Sequence, residues 1–415
     1  MNYELRRQKL MELLPDYSIA VLYSGVAPYS IGDEKYPFKV ERSFHYFTGL
    51  TEENMYLVLV KLSEEDSRVL LFIEPYDETM AKWIGGRILP QQASEISKIK
   101  NVCYVDELED TLFRYINSYG KLQQFILCGD LSKQELSQQN KVADLFNKLK
   151  GQMPDLSIMN IFHEICSLRM NKDAEEIALM RQAIAVTKEG IETMMSYAHE
   201  NIWENELEAY FDFVLKCHQC DHAFATICAT GKNATVLHYS ENNQYAKTDD
   251  LVLCDLGAAY KLYNADITRT FPVNGKFTER QKQIYDIVLR ANKMVEQTAR
   301  PGLTTKQLNQ KVIEFYEVEL KKIGLLENGK TVRDYYWHGV SHMIGLETHD
   351  ISMIDLPLQV GCVISDEPGL YLEEEGIGIR IEDDLLITEN GCECLSKDII
   401  KEIADIEQFM SKYKQ

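Results

Sequence analysis

The chemistry this sequence could do rests on a few acids and histidines in a fixed order. Leu251-Val252-Leu253-Cys254 is an apolar, strand-like run that ends on Asp255-Leu256-Gly257, and a second acid, Asp266, follows in Ala265-Asp266-Ile267-Thr268-Arg269-Thr270. Two strands of a hairpin, or two neighbours in a sheet, can set these carboxylates side by side facing one pocket. Next come His338-Gly339-Val340-Ser341-His342 and His349-Asp350, then Glu367-Pro368-Gly369 and Gly378-Ile379-Arg380-Ile381-Glu382-Asp383-Asp384. Each piece alone has an ordinary reading: an Asp after a strand is a turn residue, a single His is a hydrogen-bonded structural side chain, and Glu382-Asp383-Asp384 is a solvated face. Their concentration changes this, because four of the nine histidines fall between His238 and His349. The acids also sit in apolar strand contexts, where an unpaired charge is expensive. A bound cation offsets that cost.

The HxxxH spacing of His338 and His342 does not make a zincin, since position 339 is Gly rather than Glu and the glycines of this stretch disfavour a helix. Several carboxylates with one histidine form a harder donor set than a Cys/His zinc site, suited to Mn(II), Fe(II), Co(II) or Zn(II) in a carboxylate-bridged pair. Two such ions about 3.5–4 Å apart can share a hydroxide and stabilise the oxyanion formed when it attacks a carbonyl. The chemistry implied is hydrolysis without a protein nucleophile.

The elements that must position these residues lie in the second part of the chain. From Asn171 a long amphipathic helix is expected, with Ile177, Met180, Ala183, Ile184, Thr187, Ile191 and Met194 on one face and Asp173, Glu175 and Glu176 at its positive end. Thr278 is a candidate cap for a helix carrying Ile284, Ile287, Val288 and Ala291, and Thr304 or Thr305 for another carrying Leu308, Val312, Tyr316 and Leu320. Short β-like runs between and after these helices hold nearly all the unusual polar residues. The first 160 or so residues differ: apolar runs at Ile19 to Tyr23, Tyr56 to Val60, Val69 to Ile73 and Phe125 to Cys128 alternate with helix-length polar stretches, the pattern of an α/β domain.

Composition bounds the function. With 44 Lys and Arg against 65 Asp and Glu among 415 residues, the formal net charge is −21, which argues against a broad phosphate-binding surface and so against nucleic acid. The N-terminus has no apolar core behind its charges, and nowhere do about 18 apolar residues run together, so a cytoplasmic protein without a membrane span is expected. The ten cysteines are too dilute for a disulfide scaffold and read as free thiols. Cys217-x-x-Cys220, beside His218 and His222, lacks the second half of a four-ligand zinc site, and Leu207, Tyr210, Phe211, Val214 and Leu215 before it look like the apolar face of a helix.

The order Asp255, Asp266, His342, Glu367, Glu382, within the phrases DLGAAYKLYNADITRTFPVNGKFTERQ, HGVSHMIGLETHD, DEPGLY and GIGIRIEDDLLIT, closely resembles the dinuclear M24 metallopeptidases of the pita-bread fold, and within them the aminopeptidase P group. The stretch Tyr36-Pro37-Phe38 through Arg42-Ser43-Phe44-His45-Tyr46-Phe47-Thr48-Gly49 resembles that group's N-terminal domain, so the likeness spans nearly the whole chain. It implies an α+β architecture: a smaller α/β domain over residues 1–165, then a pita-bread catalytic domain over 166–415 with a curved antiparallel sheet covered by helices.

Carried over residue by residue, the resemblance makes Asp255, Asp266, His342, Glu367 and Glu382 the ligands of two divalent metal ions, Mn2+ in the first place with Co2+, Fe2+ or Zn2+ as alternatives, bridged by Asp266 and Glu382. His238 matches the histidine that assists proton movement and His349 the one that stabilises the tetrahedral intermediate. His338 lines the pocket near the proline, Arg380 supports a ligand acid or the substrate, and Glu367 also accepts the proton of the attacking water. The implied activity is cleavage of the bond between an N-terminal residue and a following proline in short peptides, by a homodimer or homotetramer.

This sequence departs from the pattern in places. Ile351-Ser352 stand where the family often has Val-Gly, the segment Ile351 to Cys362 is short and holds no arginine, and the loop Tyr371 to Gly376 is short as well. Prolidases place an arginine in the former region to hold a dipeptide's carboxylate, so its absence favours longer peptides. Prolidase is the alternative; a non-catalytic peptide-binding protein on the same fold and metal-free, creatinase-like hydrolysis both imply lost ligands, whereas all five are present.

Overall fold

The computed structural model describes all of the chain except residues 121–123, 132–139, 354 and 414–415. It divides into two compact units, Met1–Arg169 and Met170–Gln415.

The first unit is built on a six-stranded mixed sheet. Its strands are β1 (Ser18–Tyr23), β2 (Tyr56–Lys61), β3 (Ser67–Ile73), β4 (Asn101–Tyr104), β5 (Ile126–Gly129) and β6 (Ser157–Asn160), in the order β4-β3-β2-β1-β5-β6. The three central strands pair antiparallel and the outer ones add in parallel. The four apolar runs of the sequence are β1, β2, β3 and β5. Strands β4 and β6 lie at the edges with half-exposed side chains, which is why no apolar run marks them. Ile19, Val21, Val58, Val60 and Phe72 from the sheet pack with Leu112 and Phe146 from the helices Leu108–Tyr119 and Lys141–Gln152.

In the second unit every strand pair among the described residues is antiparallel. The strands are β7 (Asp221–His222), β8 (Ile227–Thr230), β9 (Leu251–Leu256), β10 (Ala258–Tyr260), β11 (Tyr263–Asn264), β12 (Ile267–Pro272), β13 (Val363–Asp366), β14 (Gly369–Leu372), β15 (Ile377–Arg380), β16 (Asp383–Thr388) and β17 (Gly391–Cys394). Four long helices accompany them: Ala174–Tyr197, Glu204–Cys217, Glu279–Thr298 and Thr305–Lys322. Two of them start at the expected caps, Thr278 and Thr304, while the first begins at Ala174 rather than Asn171, capped by Asp173; each of these three caps accepts a hydrogen bond from the first turn and closes a capping box. No helix among the described residues is long and apolar enough to cross a membrane.

Two features of this unit place the acids. First, β9 and β12 are neighbours with Asp255 opposite Thr268, so Asp255 lies one residue before the end of β9 and Asp266 immediately precedes β12. A Cβ on Gly257 would lie 1.8 Å from the carbonyl oxygen of Ala265, so only glycine lets the turn after Asp255 approach the residue before Asp266. Second, the ladder β13·β16 gives way to the ladder β14·β15 at two short links, Glu367-Pro368 on one side and Ile381-Glu382 on the other. Both remaining acids therefore stand where regular pairing is interrupted. Hydrogen bonds from Glu367 N to Val340 O (3.0 Å) and from Glu382 N to Thr268 O (3.0 Å) tie these links to the histidine loop and to β12.

Candidate metal centre

Asp266, His342 and Glu382 each offer one oxygen or nitrogen, and these three atoms lie within 4.8 Å of one another. His342 Nε2 is 3.3 Å from Asp266 Oδ2 and 3.6 Å from Glu367 Oε1. Its Nδ1 donates to its neighbour's carbonyl, Met343 O, at 3.0 Å, which fixes the tautomer and leaves Nε2 to face the acids. Glu367 Oε1 also accepts from Ser365 Oγ (3.3 Å), and the same hydroxyl accepts from the His342 backbone N–H at 2.9 Å. One serine thus sets both the histidine and the glutamate.

Arg380 organises the other side. Its Nη2 donates to Asp255 Oδ2 at 2.6 Å, its Nε to Thr268 Oγ1 at 3.0 Å and its Nη1 to the Tyr371 hydroxyl at 2.9 Å. The Thr268 hydroxyl in turn donates to Glu382 Oε2 at 2.6 Å. The Tyr371 hydroxyl donates in turn to His338 Nε2 (2.9 Å), whose Nδ1 donates to Gly339 O (2.7 Å). His338 is held neutral, its pKa lowered to about 4 by burial and by the nearby Arg380 charge. The ring of His349 stands edge-on to that of His342 with centroids 4.3 Å apart, and burial together with the His342 and His238 charges lowers its pKa too.

His238 follows the short helical turn Gly231–Thr235, is exposed, and no hydrogen bond or ion pair holds its ring among the described residues. It lies close enough to His338 and His349 for its charge to act on both. All nine site residues expected from the sequence therefore fall in one region, with Asp266, His342 and Glu382 converging most closely. Four partners went unread: Thr268, Tyr371, Ser365 and Arg269. Thr268 and Arg269 lie inside the same ADITRT phrase as Asp266, and an arginine between two threonines beside a candidate ligand was the available signal. Arg269 donates to Glu382 O (2.6 Å) and Thr268 O (2.9 Å), holding both backbones. Elsewhere, the stretch around Cys217 spends its histidines on carboxylates, His218 on Glu189 (2.8 Å) and His222 on Asp212 (2.9 Å).

The donor set is short of positive charge. Burial, then the neighbouring Asp255, pushes the Asp266 carboxyl up to about 6 against the opposing pull of His342; Glu367 is pushed up to about 7 by burial and by Asp266 and Asp255; and Glu382 lies well above the ordinary range. Burial disfavours a charged His342, yet the hydrogen bond and charge of Asp266 and the charge of Glu367 win and raise it to about 9. Asp255 Oδ1 is buried without a hydrogen-bond partner. Such an orphaned carboxylate oxygen, beside crowded acids that hold one another protonated, fits a site completed by cations. Hard oxygen donors plus one imidazole match first-row divalent ions.

The sequence pattern of metallopeptidase family M24 matches residues 178–389, and that of the aminopeptidase P N-terminal domain matches residues 3–123. The chain is 32% identical to an Xaa-Pro aminopeptidase of Haemophilus influenzae, over 99% of this chain and 97% of that one. Among solved structures it resembles one assigned as an aminopeptidase P from Bacillus anthracis (TM-score 0.95, 43% identity, 99% of this chain and 98% of that one). It also resembles aminopeptidase P from Escherichia coli with the inhibitor Pro-Leu (TM-score 0.90, 31% identity, 100% and 98%). The architecture is the pita-bread domain preceded by an α/β domain, and the chain belongs to metallopeptidase family M24, among its Xaa-Pro aminopeptidases.

Proposed function

We propose that Asp255, Asp266, His342, Glu367 and Glu382 hold two divalent metal ions, Asp266 and Glu382 being shared between them, and that the chain uses this centre to release an N-terminal residue from peptides with proline in second position. The observation that carries this reading is the convergence of Asp266, His342 and Glu382 on one point in a buried cluster whose four carboxyls share His342 and Arg380 as their cations, too little positive charge to balance them. Ions bound there supply Lewis acidity toward the scissile carbonyl and make water a nucleophile near neutral pH.

The bond before proline is a tertiary amide with no N–H, so a peptidase that grips the scissile N–H loses a contact. The leaving ring nitrogen also needs a proton as the bond breaks. Exposed and without a hydrogen-bond or ion-pair partner among the described residues, His238 is placed to deliver it. His349 donates to the oxyanion, and neutral His338, fixed by Tyr371, borders the proline ring. Glu367, with Oε1 3.6 Å from His342 Nε2, takes the proton from the attacking water. Arg380 holds Asp255 in place rather than reacting. The missing arginine between Ile351 and Cys362 favours Xaa-Pro-Yaa peptides over dipeptides. The family resemblance supports Mn2+ as the metal, a cytoplasmic location and a homodimer or homotetramer.

The test is to incubate metal-stripped protein with Mn2+ and follow release of the first residue from Xaa-Pro-Yaa and Xaa-Pro peptides. Release from the tripeptide is expected; activity confined to the dipeptide makes the enzyme a prolidase, and cleavage of neither with any divalent metal overturns the reading.

A further inference from the structure

Glu204 is a carboxylate with 0% exposure, and no Lys, Arg or His pairs with it among the described residues. A buried charge of this kind is costly unless hydrogen bonds surround it. Five do. Oε1 accepts from Thr230 N (2.7 Å), Thr230 Oγ1 (2.8 Å) and Asn233 Nδ2 (3.0 Å), while Oε2 accepts from the Tyr239 hydroxyl (2.7 Å) and Gln244 N (3.0 Å). The Glu204 backbone N–H also donates to Gln244 O at 2.8 Å. Every side-chain donor comes from one stretch, residues 230–244, and the first residue of a helix thereby gathers both ends and the middle of a single loop.

That loop carries His238. Its neighbours on either side, Leu237 and Tyr239, both pack against the small core of Ile227, Ala229, Ala234, Leu253 and Tyr371, while the His238 ring itself is exposed and makes no hydrogen bond or ion pair among the described residues. The position of the ring is therefore set by its backbone alone. The backbone is set by the core contact and by Glu204, through Tyr239 directly and through Thr230, Asn233 and Gln244 at the rest of the loop. A Cβ on Gly378 would lie 2.0 Å from Ala234 O, so the same loop is pressed against β15, the strand that ends on Arg380.

We infer that Glu204 is a positioning residue for His238: it fixes the loop of residues 230–244 so that the imidazole meets the leaving nitrogen, without itself touching substrate or metal. This rests on the role proposed for His238. In Glu204→Gln the amide nitrogen faces N–H and O–H donors that the carboxylate accepted from, which releases the loop while leaving the volume unchanged.

The experiment is a double-mutant cycle in the Mn2+-loaded full-length enzyme, with kcat and KM measured on an Xaa-Pro-Yaa peptide and bound metal measured on each variant. His238→Ala is expected to lower kcat about 100-fold. Glu204→Gln is expected to lower it about 10-fold, with KM and metal content near those of the parent. In the His238→Ala background the second substitution should cost almost nothing further, because its effect passes through the imidazole. Losses that multiply, or a loss of bound metal in Glu204→Gln, would overturn the inference. So would a His238→Ala enzyme as fast as the parent. If Glu204→Gln does not fold, Tyr239→Phe, which removes one of the five donors, enters the same cycle with the same criterion. A parent enzyme that cleaves no Xaa-Pro peptide refutes instead the function on which the inference rests.

Discussion

Glu382 and Asp383 are consecutive, both almost fully buried, and belong to two charge clusters that are opposites. On the Glu382 side four carboxyls and His342 meet, with Arg380 the cation that reaches them, and Asp266, Glu367 and Glu382 are pushed upward. On the Asp383 side one carboxylate receives Arg269 Nη2 (2.7 Å), Lys401 Nζ (2.7 Å), Ser396 Oγ (2.6 Å) and Asn292 Nδ2 (3.2 Å). Despite burial, the charges of Arg269 and Lys401 hold its pKa far below the aspartate range. Burial is common to both clusters; the supply of cations is what differs. A saturated cluster is a structural fastening, whereas an unsaturated one leaves room for cations that the chain does not supply.

The largest effect that this contrast predicts is on activity. Asp266→Ala removes a donor from the unsaturated cluster and should lower kcat/KM by about 1000-fold or more, the rate equivalent of several kcal/mol of lost Lewis-acid stabilisation. Elemental analysis should show reduced bound metal. The metal-free variant should melt close to the metal-free parent, because the repulsion from Asp255 and Glu382 that the substitution relieves offsets the lost attraction between Asp266 and His342. A metal-free Asp266→Ala protein that melts well below the parent would break the comparison.

Asp383→Asn attacks the other cluster and should do the reverse. Arg269 and Lys401 lose their buried counter-charge, an expected cost of about 3–5 kcal/mol read as a fall in the denaturation midpoint at unchanged slope. Because Arg269 also holds the Glu382 and Thr268 carbonyls, activity should fall as well, as a consequence of the fold.

The two clusters also predict opposite pH dependence. An acid with a raised folded pKa favours folding below its unfolded value and loses that contribution as pH rises through the folded one. For Asp266 the window runs from 3.8 to about 6, and for Glu367 from 4.5 to about 7. His342, raised from 6.5 to about 9, acts in the same direction over a higher window. Asp383, with its lowered value, contributes above the ordinary aspartate range and loses that contribution only as pH falls below it. Metal-free protein should therefore melt at a higher temperature at pH 5 than at pH 8, and Mn2+ should raise the melting temperature more at pH 8, where bound protons no longer compete. Equal metal-induced shifts at the two pH values would argue that the acids are not the ligands.

Much of this arrangement could be read from residue order, and the parts that could not share a cause. Asp255 and Asp266 were legible because an apolar strand ending on an acid is conspicuous, and the helix starts at Thr278 and Thr304 because capping is local. The contrast within Glu382-Asp383-Asp384 was not, since as a tripeptide it reads as a solvated face and instead all three are buried. What separates Glu382 from Asp383 is Arg269 and Lys401, brought in from a strand and from a C-terminal segment. Glu204 was hidden for the same reason: its five donors lie 26 to 40 residues away. Local signals reveal caps and strands, while the pairing of charges depends on chain closure.

The smallest predicted effect isolates burial. In the turn Glu373–Glu375, which joins β14 to β15, each acid has its own cation: Lys232 on Glu373 (2.9 Å), Lys330 on Glu374 (3.2 Å) and Arg280 on Glu375 (2.6 Å). By count of partners this turn is saturated, as Asp383 is. Unlike Asp383 it is wet, the Lys330–Glu374 pair having 41% and 86% of its side chains exposed. Glu374→Gln should leave the denaturation midpoint and KM unaltered. Glu375→Gln should cost more, because Arg280 grips that carboxylate with two nitrogens, Nε at 2.7 Å and Nη2 at 2.6 Å, though still no more than about 1 kcal/mol, and the difference should shrink in about 0.5 M salt. If either exposed glutamate proved as costly to remove as Asp383, partner supply alone would govern these clusters, and desolvation would have to be dropped from the account of both.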